Sequence, residues 1–356
     1  MSHTYLSQQL GRQIVYQGKT YLHFSGTAYL GMGALPAFKN LLVAGINRHG
    51  PNHGSSRNSN VQLPIYDQFE SRFAENAGAP DALLLSSGYQ AGQLALETLS
   101  KQTDLTWVAP DSHPAILPPR FKPYSGTFTA WSKHCIQKSK ELIGQNILIL
   151  SNAVNPLKPE ISDFQWTKNL SAANRYFLLV DDSHAFGILG DDLYGTYSRW
   201  KGLPVELMVC GSLGKALSLP AGIILGDRLW IEKAKKSPVF RSSSPPAPAF
   251  LDAFLQGRSL YLDQRKKLLN NVHQIYNALS NQKGFNLLNN YPVITFANAD
   301  WVEQLHELGF ILSSFPYPGP EDKPVNRIVI SAWHEEEDLM ALYQALMKLR
   351  KTSTDY

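Results

Sequence analysis

Short apolar runs alternate along the chain with longer segments in which apolar residues recur every three or four positions. A continuous apolar run bounded by turn formers is the pattern of a strand buried on both faces, whereas the wider spacing marks one face of a helix. On that basis strands are predicted at 82–85, 106–109, 147–150, 176–180, 207–210 and 222–225, with helices such as 64–77 and 90–101 between them. The alternation predicts an α/β fold, with a mainly parallel sheet covered by helices on both faces. The punctuation changes at Ser242-Ser243-Ser244-Pro245-Pro246, a rigid turn. Beyond it, 249–280 predicts one long helix, and strands at 293–296 and 327–331 precede a helix at 335–349, the pattern of a smaller α+β domain.

Composition narrows the class. The chain has 356 residues, 44% of them apolar and 17% charged, which supports two well-buried domains and excludes a disordered protein. A net charge of +4 is too small to argue for nucleic acid and leaves an anionic ligand unopposed. Cys135 and Cys210 have no paired spacing, so a disulfide framework or cysteine zinc site is excluded and a reducing compartment, the cytoplasm, is expected. Residues 1–11 lack a basic-then-apolar pattern, and no apolar stretch of about 18 residues occurs, so neither a signal peptide nor a membrane span is expected. No metal cluster is expected.

The chemistry is concentrated where predicted strands end. Asp181 closes one strand, and Lys215 follows the next in the small-residue turn Gly211-Ser212-Leu213-Gly214. Open α/β sheets build their sites at such carboxyl ends. A lysine amine there can form a Schiff base with pyridoxal phosphate, while a carboxylate keeps the pyridine nitrogen protonated. Ser87-Gly88-Tyr89 opens a helix after a strand, where free backbone amides can bind phosphate or the serine can simply cap the helix. Ser212 could give its hydroxyl to that phosphate or satisfy its own turn. His113, after Asp111-Ser112, could lie over a cofactor ring and move protons, or stand exposed as a bystander. Arg327 could grip a substrate carboxylate or make a surface ion pair.

Together these positions resemble the α-oxoamine synthases of the fold-type I pyridoxal phosphate enzymes, within the class I/II aminotransferase superfamily. That family includes 8-amino-7-oxononanoate synthase, glycine C-acetyltransferase, 5-aminolevulinate synthase and serine palmitoyltransferase. The likeness runs from about Gly11 to Leu349. Its motifs are Tyr21-Leu22-His23-Phe24-Ser25, Tyr29-Leu30-Gly31, Gly54-Ser55-Ser56-Arg57, Ser87-Gly88-Tyr89, Asp111-Ser112-His113, Asp181-Asp182-Ser183-His184-Ala185-Phe186-Gly187, Ser212-Leu213-Gly214-Lys215 and Ser331-Ala332-Trp333-His334.

The resemblance implies a seven-stranded, mainly parallel sheet in a large cofactor-binding domain over 37–258. A shortened N-terminal segment over 1–36 and a small α+β domain over 259–356 complete the expected chain. It further implies Lys215 as the Schiff-base lysine, Asp181 at the pyridinium nitrogen, His184 at the phenolic oxygen and His113 stacked on the ring. Gly88 and Tyr89 amides, with Ser87 and Ser212, would hold the phosphate; Asn155 would stand near the cofactor, where the family usually has serine. Ser242 would act across a homodimer interface, and Arg327 would bind the substrate carboxylate. The implied reaction joins glycine, alanine or serine to an acyl-CoA, releasing CoA and usually carbon dioxide. Departures at Thr27-Ala28, Val61, Tyr66 and Asn155, and the short N-terminus, bear on the acyl-CoA side and keep an aminotransferase or lyase reading open. Which amino acid and acyl chain are used stays open as well.

Overall fold

The computed structural model describes residues 5–155, 157–317, 319 and 321–353. The extreme ends of the expected first and last segments, 1–4 and 354–356, lie outside the described residues. The chain forms two compact units, the larger comprising Lys39–Asn155 and Ile161–Arg258, the other built mainly from residues up to Phe38 and from Ser259 onward.

In the larger unit each continuous apolar run becomes a strand, since a run apolar on both faces can be buried only inside a sheet covered on both sides. Six strands lie in the order Asp81–Leu85, Gly222–Gly226, Glu206–Ser212, Arg175–Asp181, Asn146–Asn152 and Leu105–Val108. The last four pair in parallel, whereas Gly222–Gly226 runs antiparallel to both of its neighbours. Five strands therefore share one direction. Leu148, Leu150, Phe177 and Leu179 are sealed within this sheet and the helix Gly88–Ser100, each burial contributing roughly 1.5–3 kcal/mol.

The expected seventh strand does not form among the described residues. Where the chain passes the sheet edge, Tyr124 N–H donates to Val108 O at 3.2 Å. Pro118, Pro119 and Pro123 flank that contact and supply no N–H, so the ladder does not extend. The long helix expected over 249–280 is also two helices, Pro248–Gln256 and Arg258–Leu279. Gly257 separates them, and a Cβ there would stand 2.7 Å from Ala253 O, so the break is built on a residue without a side chain.

The other unit holds a second six-stranded sheet in the order Gln13–Tyr16, Lys19–Phe24, Phe310–Pro316, Pro324–Val329, Tyr291–Phe296 and Phe285–Leu288. The run expected as a strand over 327–331 stops at Val329, and the Ser331-Ala332-Trp333-His334 motif forms a turn before the helix Glu336–Ser353. Asn271 clamps that turn by donating to Ser331 O at 3.2 Å and His334 O at 2.9 Å. Arg12 anchors the following helix start, its Nε donating to Asp338 Oδ2 at 2.7 Å. No described helix is long and apolar enough to cross a membrane.

His334 makes this unit sensitive to acid. Its ring is fully buried, stacks on Phe24 and accepts the Ser331 N–H at Nδ1 over 3.0 Å. Burial lowers its pKa from 6.5 to about 4. A histidine held neutral in the fold contributes no penalty above pH 6.5, but the unfolded chain takes up a proton first as pH falls. Stability should therefore drop progressively between pH 6.5 and 4, by about 3 kcal/mol from this group. Urea unfolding at pH 7 and pH 4.5 should show the drop in the parent and a smaller one in His334→Gln; equal drops would reject the assignment.

Candidate active site

The five codirectional strands end at one edge of the larger sheet, and Gly222–Gly226 begins there. Gly222 stands opposite both Leu85 and Ser212, and Asp181 stands opposite both Asn152 and Cys210. This edge gathers the residues that follow those strands: Ser87-Gly88-Tyr89, His113, Asn155, Asp181, His184, Ser212 and Lys215.

The start of the helix Gly88–Ser100 forms a cradle against the end of the strand Glu206–Ser212. Ser87 caps the helix, its Oγ accepting Gln90 N–H at 3.2 Å. A Cβ on Gly88 would lie 2.4 Å from Ser212 Cβ and 2.6 Å from Ser212 N, while one on Gly222 would lie 2.1 Å from Ser87 O. Glycine at both places lets three backbones meet. The first amides of a helix have no partners within it and carry the positive end of its dipole, so the cradle suits a dianionic phosphate. Ser212 Oγ accepts Gly214 N–H at 3.1 Å, which satisfies its own turn yet leaves the hydroxyl proton to donate. Tyr89 is 58% exposed, so only its backbone, not its ring, is part of this cradle. Ser242 ends the short helix Pro238–Ser242 on an exposed face, and the adjacent Ser243 accepts from the Gln90 side chain.

Gly88→Ala should therefore weaken cofactor binding by about 1–3 kcal/mol, roughly 5- to 150-fold in the dissociation constant, because the added methyl must push the helix start off Ser212. Fluorescence titration with pyridoxal phosphate would measure it. An unchanged constant would remove the cradle from the binding site.

Asp181 is buried and accepts Ser183 N–H at 2.8 Å through Oδ1. Its other oxygen lies 3.8 Å from His113 Nδ1. That nitrogen also accepts Ala115 N–H at 3.1 Å, which leaves Nε2 to carry the ring proton. Burial lowers the His113 pKa, with Asp181 opposing and the charge of Lys215 adding to the effect. His113, Asp181 and Lys215 thus form one electrostatic group. His184 and Lys215 are each half-buried. Asn155 is turned to the protein, donating through Nδ2 to Asp111 Oδ2 at 2.7 Å.

Arg327 belongs to the other unit. It lies on the strand Pro324–Val329, is only 7% exposed and packs its guanidinium 5.1 Å from the centre of the Phe315 ring. Burial on a central strand excludes the surface ion pair that the local sequence also allowed.

Three features escaped sequence reading. Asn152 bonds the turn that carries His113, and Ser183 Oγ accepts Ser212 N–H at 2.8 Å, tying the Asp181 loop to the Lys215 strand. Asp182 is fully buried, accepts Thr196 N–H at 2.6 Å and Thr196 Oγ at 2.8 Å, and is pushed by burial up to about 7. The adjacent acidic pair in the sequence signalled Asp182, but nothing local assigned the two carboxylates different partners.

The family model for aminotransferase class I and II matches residues 21–346. The 8-amino-7-oxononanoate synthase of Methylococcus capsulatus is 26% identical over 355 residues, covering 94% of this chain and 90% of that protein. The enzyme of that name from Salmonella paratyphi B is 27% identical over 301 residues, covering 81% and 77%. Among solved structures, Sphingomonas wittichii serine palmitoyltransferase superposes with a TM-score of 0.79 at 18% identity, covering 98% of this chain and 92% of that one. The 8-amino-7-oxononanoate synthase of Francisella tularensis gives 0.73 at 21% identity, with 94% and 99% covered. These structures share the fold-type I architecture. With its lysine, aspartate and helix-start cradle gathered at one sheet edge, the chain belongs to the aminotransferase class I and II family, and its likeness runs to the α-oxoamine synthases within it.

Proposed function

We propose that this chain is a pyridoxal phosphate-dependent α-oxoamine synthase, joining an amino acid to an acyl-CoA with release of CoA and, as is usual in that family, carbon dioxide. The observation that carries the reading is the convergence of Lys215, Asp181 and His113 beside the cradle of Gly88 and Ser212. The cofactor, when bound, supplies an electron sink for the negative charge that develops at the amino-acid Cα.

Each residue then has a definite task. The Lys215 amine would hold the cofactor and serve as the base that takes the amino-acid Cα proton. Asp181, buried beside His113, would hold the proton on the pyridine nitrogen and so keep the ring electron-poor. The Gly88 and Tyr89 amides with the Ser87 and Ser212 hydroxyls would hold the phosphate, and His184 would donate to the phenolic oxygen. His113, neutral with its proton on Nε2, would stack on the cofactor and assist proton movement during acyl transfer. Asn155 would stand near the cofactor, its side chain held by its bond to Asp111. Arg327 binds the substrate carboxylate in two-pronged fashion. Ser242 completes the site of a second copy in a homodimer, and the protein works in the cytoplasm.

The test is CoA thiol release by the cofactor-loaded protein, with glycine, alanine and serine crossed against short, dicarboxylic and long acyl-CoAs. Release that requires both substrates is expected. Conversion of the cofactor to its amine form by an amino donor alone, without CoA release, would replace this reading by an aminotransferase.

A further inference from the structure

We infer that Asn152 is the positioning residue for His113, acting through the backbone of the turn that carries it. Asn152 ends the strand Asn146–Asn152, is buried, and stands directly opposite Asp181 in the neighbouring strand. Its Nδ2 donates to Asp111 O at 2.8 Å, and its Oδ1 accepts His113 N–H at 3.0 Å. The amide can sit only this way round, because a carbonyl only accepts and a backbone N–H only donates.

The turn it spans is not one the chain adopts freely. Asp111 has a φ of 55°, in the left-handed region, which a residue with a side chain occupies only at a cost. Asn155 holds the Asp111 carboxylate at 2.7 Å, and Ser112 Oγ donates to Ala109 O at 2.9 Å. Asn152 touches both ends of the turn. It links the strand bearing Asp181's neighbour to the backbone of the histidine, so the 3.8 Å separation of His113 Nδ1 and Asp181 Oδ2 is set through it. A shift of about 1 Å at a reacting group can cost on the order of a hundredfold in rate.

This inference rests on the proposed cofactor role of His113, and a double-mutant cycle separates the two. Asn152→Leu, close in volume but unable to form either bond, is made in the parent and in His113→Ala. In the parent it should alter the induced circular dichroism of bound pyridoxal phosphate and lower kcat roughly tenfold. In His113→Ala both readouts should change by less than about twofold, since the group being positioned is gone. Equal losses in both backgrounds would show a merely structural residue and overturn the inference, as would an unaltered dichroism in the parent. Asn152→Ser provides the same cycle if the leucine variant does not fold. Absence of CoA release in the parent would reject the synthase reading, while the dichroism cycle would still decide the role of Asn152.

Discussion

Replacing Lys215 with alanine should abolish the visible absorbance band that forms when pyridoxal phosphate is added, and lower turnover by roughly 10²–10⁴-fold. Lys215 follows the strand Glu206–Ser212 at the edge where Asp181 and His113 converge, and its charge is felt at the His113 ring. In the proposed mechanism an amine would be needed there twice, first to fix the cofactor and then to move the Cα proton, and alanine can do neither. Borohydride reduction followed by peptide mapping is the sharper measurement. Cofactor should be recovered on the peptide containing Lys215 in the parent and on none in the variant. Recovery on another lysine would move the site away from this sheet edge and with it the roles given to Asp181 and His113.

Arg57→Leu should cost about 3–5 kcal/mol of stability, the usual penalty for leaving one member of a buried ion pair alone. Arg57 donates to both oxygens of Glu70, at 2.9 and 3.0 Å, and Glu70 Oε1 also accepts Leu84 N–H at 2.8 Å from the outermost strand Asp81–Leu85. The pair therefore joins the Gly54-Ser55-Ser56-Arg57 loop, the helix Ile65–Ala77 and the strand that leads into the phosphate cradle. Burial raises the Glu70 pKa even with Arg57 present, and removing the guanidinium raises it further. A carboxyl whose folded pKa lies above its unfolded value favours folding below the unfolded pKa of 4.5 and loses that contribution as pH rises through the folded value. The deficit of Arg57→Leu should thus be largest near pH 7 and shrink towards pH 4.5. Urea unfolding across that range would show it, and Arg57→Leu/Glu70→Leu should recover most of the loss. A deficit independent of pH would mean that packing of Arg57 over the Tyr66 ring, 4.9 Å away, matters more than the charge.

Much of the fold could be read locally. The six strands of the larger sheet stand in the sequence as unbroken apolar runs, and each forms within two residues of its expected place. The helix expected over 64–77 forms as Ile65–Ala77, and that over 90–101 as Gly88–Ser100. Less legible were Gln13–Tyr16, Lys19–Phe24 and Phe310–Pro316, whose mixed polar and apolar residues acquire a buried side only when they join one sheet. The seventh strand was implied by resemblance and failed where prolines remove the donors a ladder needs. The single helix over 249–280 failed at Gly257, which caps Pro248–Gln256 with φ −95° and ψ 14°, outside the helical range, and has no side chain to crowd Ala253 O.

The sequence by itself determined the α/β class, the strand and helix periods, and the motifs that contain Lys215 and His184, because these depend on residues near one another along the chain. Only the tertiary structure decided that Gly88 and Gly222 close on Ser212 and Ser87, that Arg327 is buried, and that Asn152 grips the turn of His113. Those facts arise from contacts between distant segments. Hydrogen bonds and close backbone approaches of that kind have no period to leave in a sequence, and they exist only once strand order and register have brought the partners together.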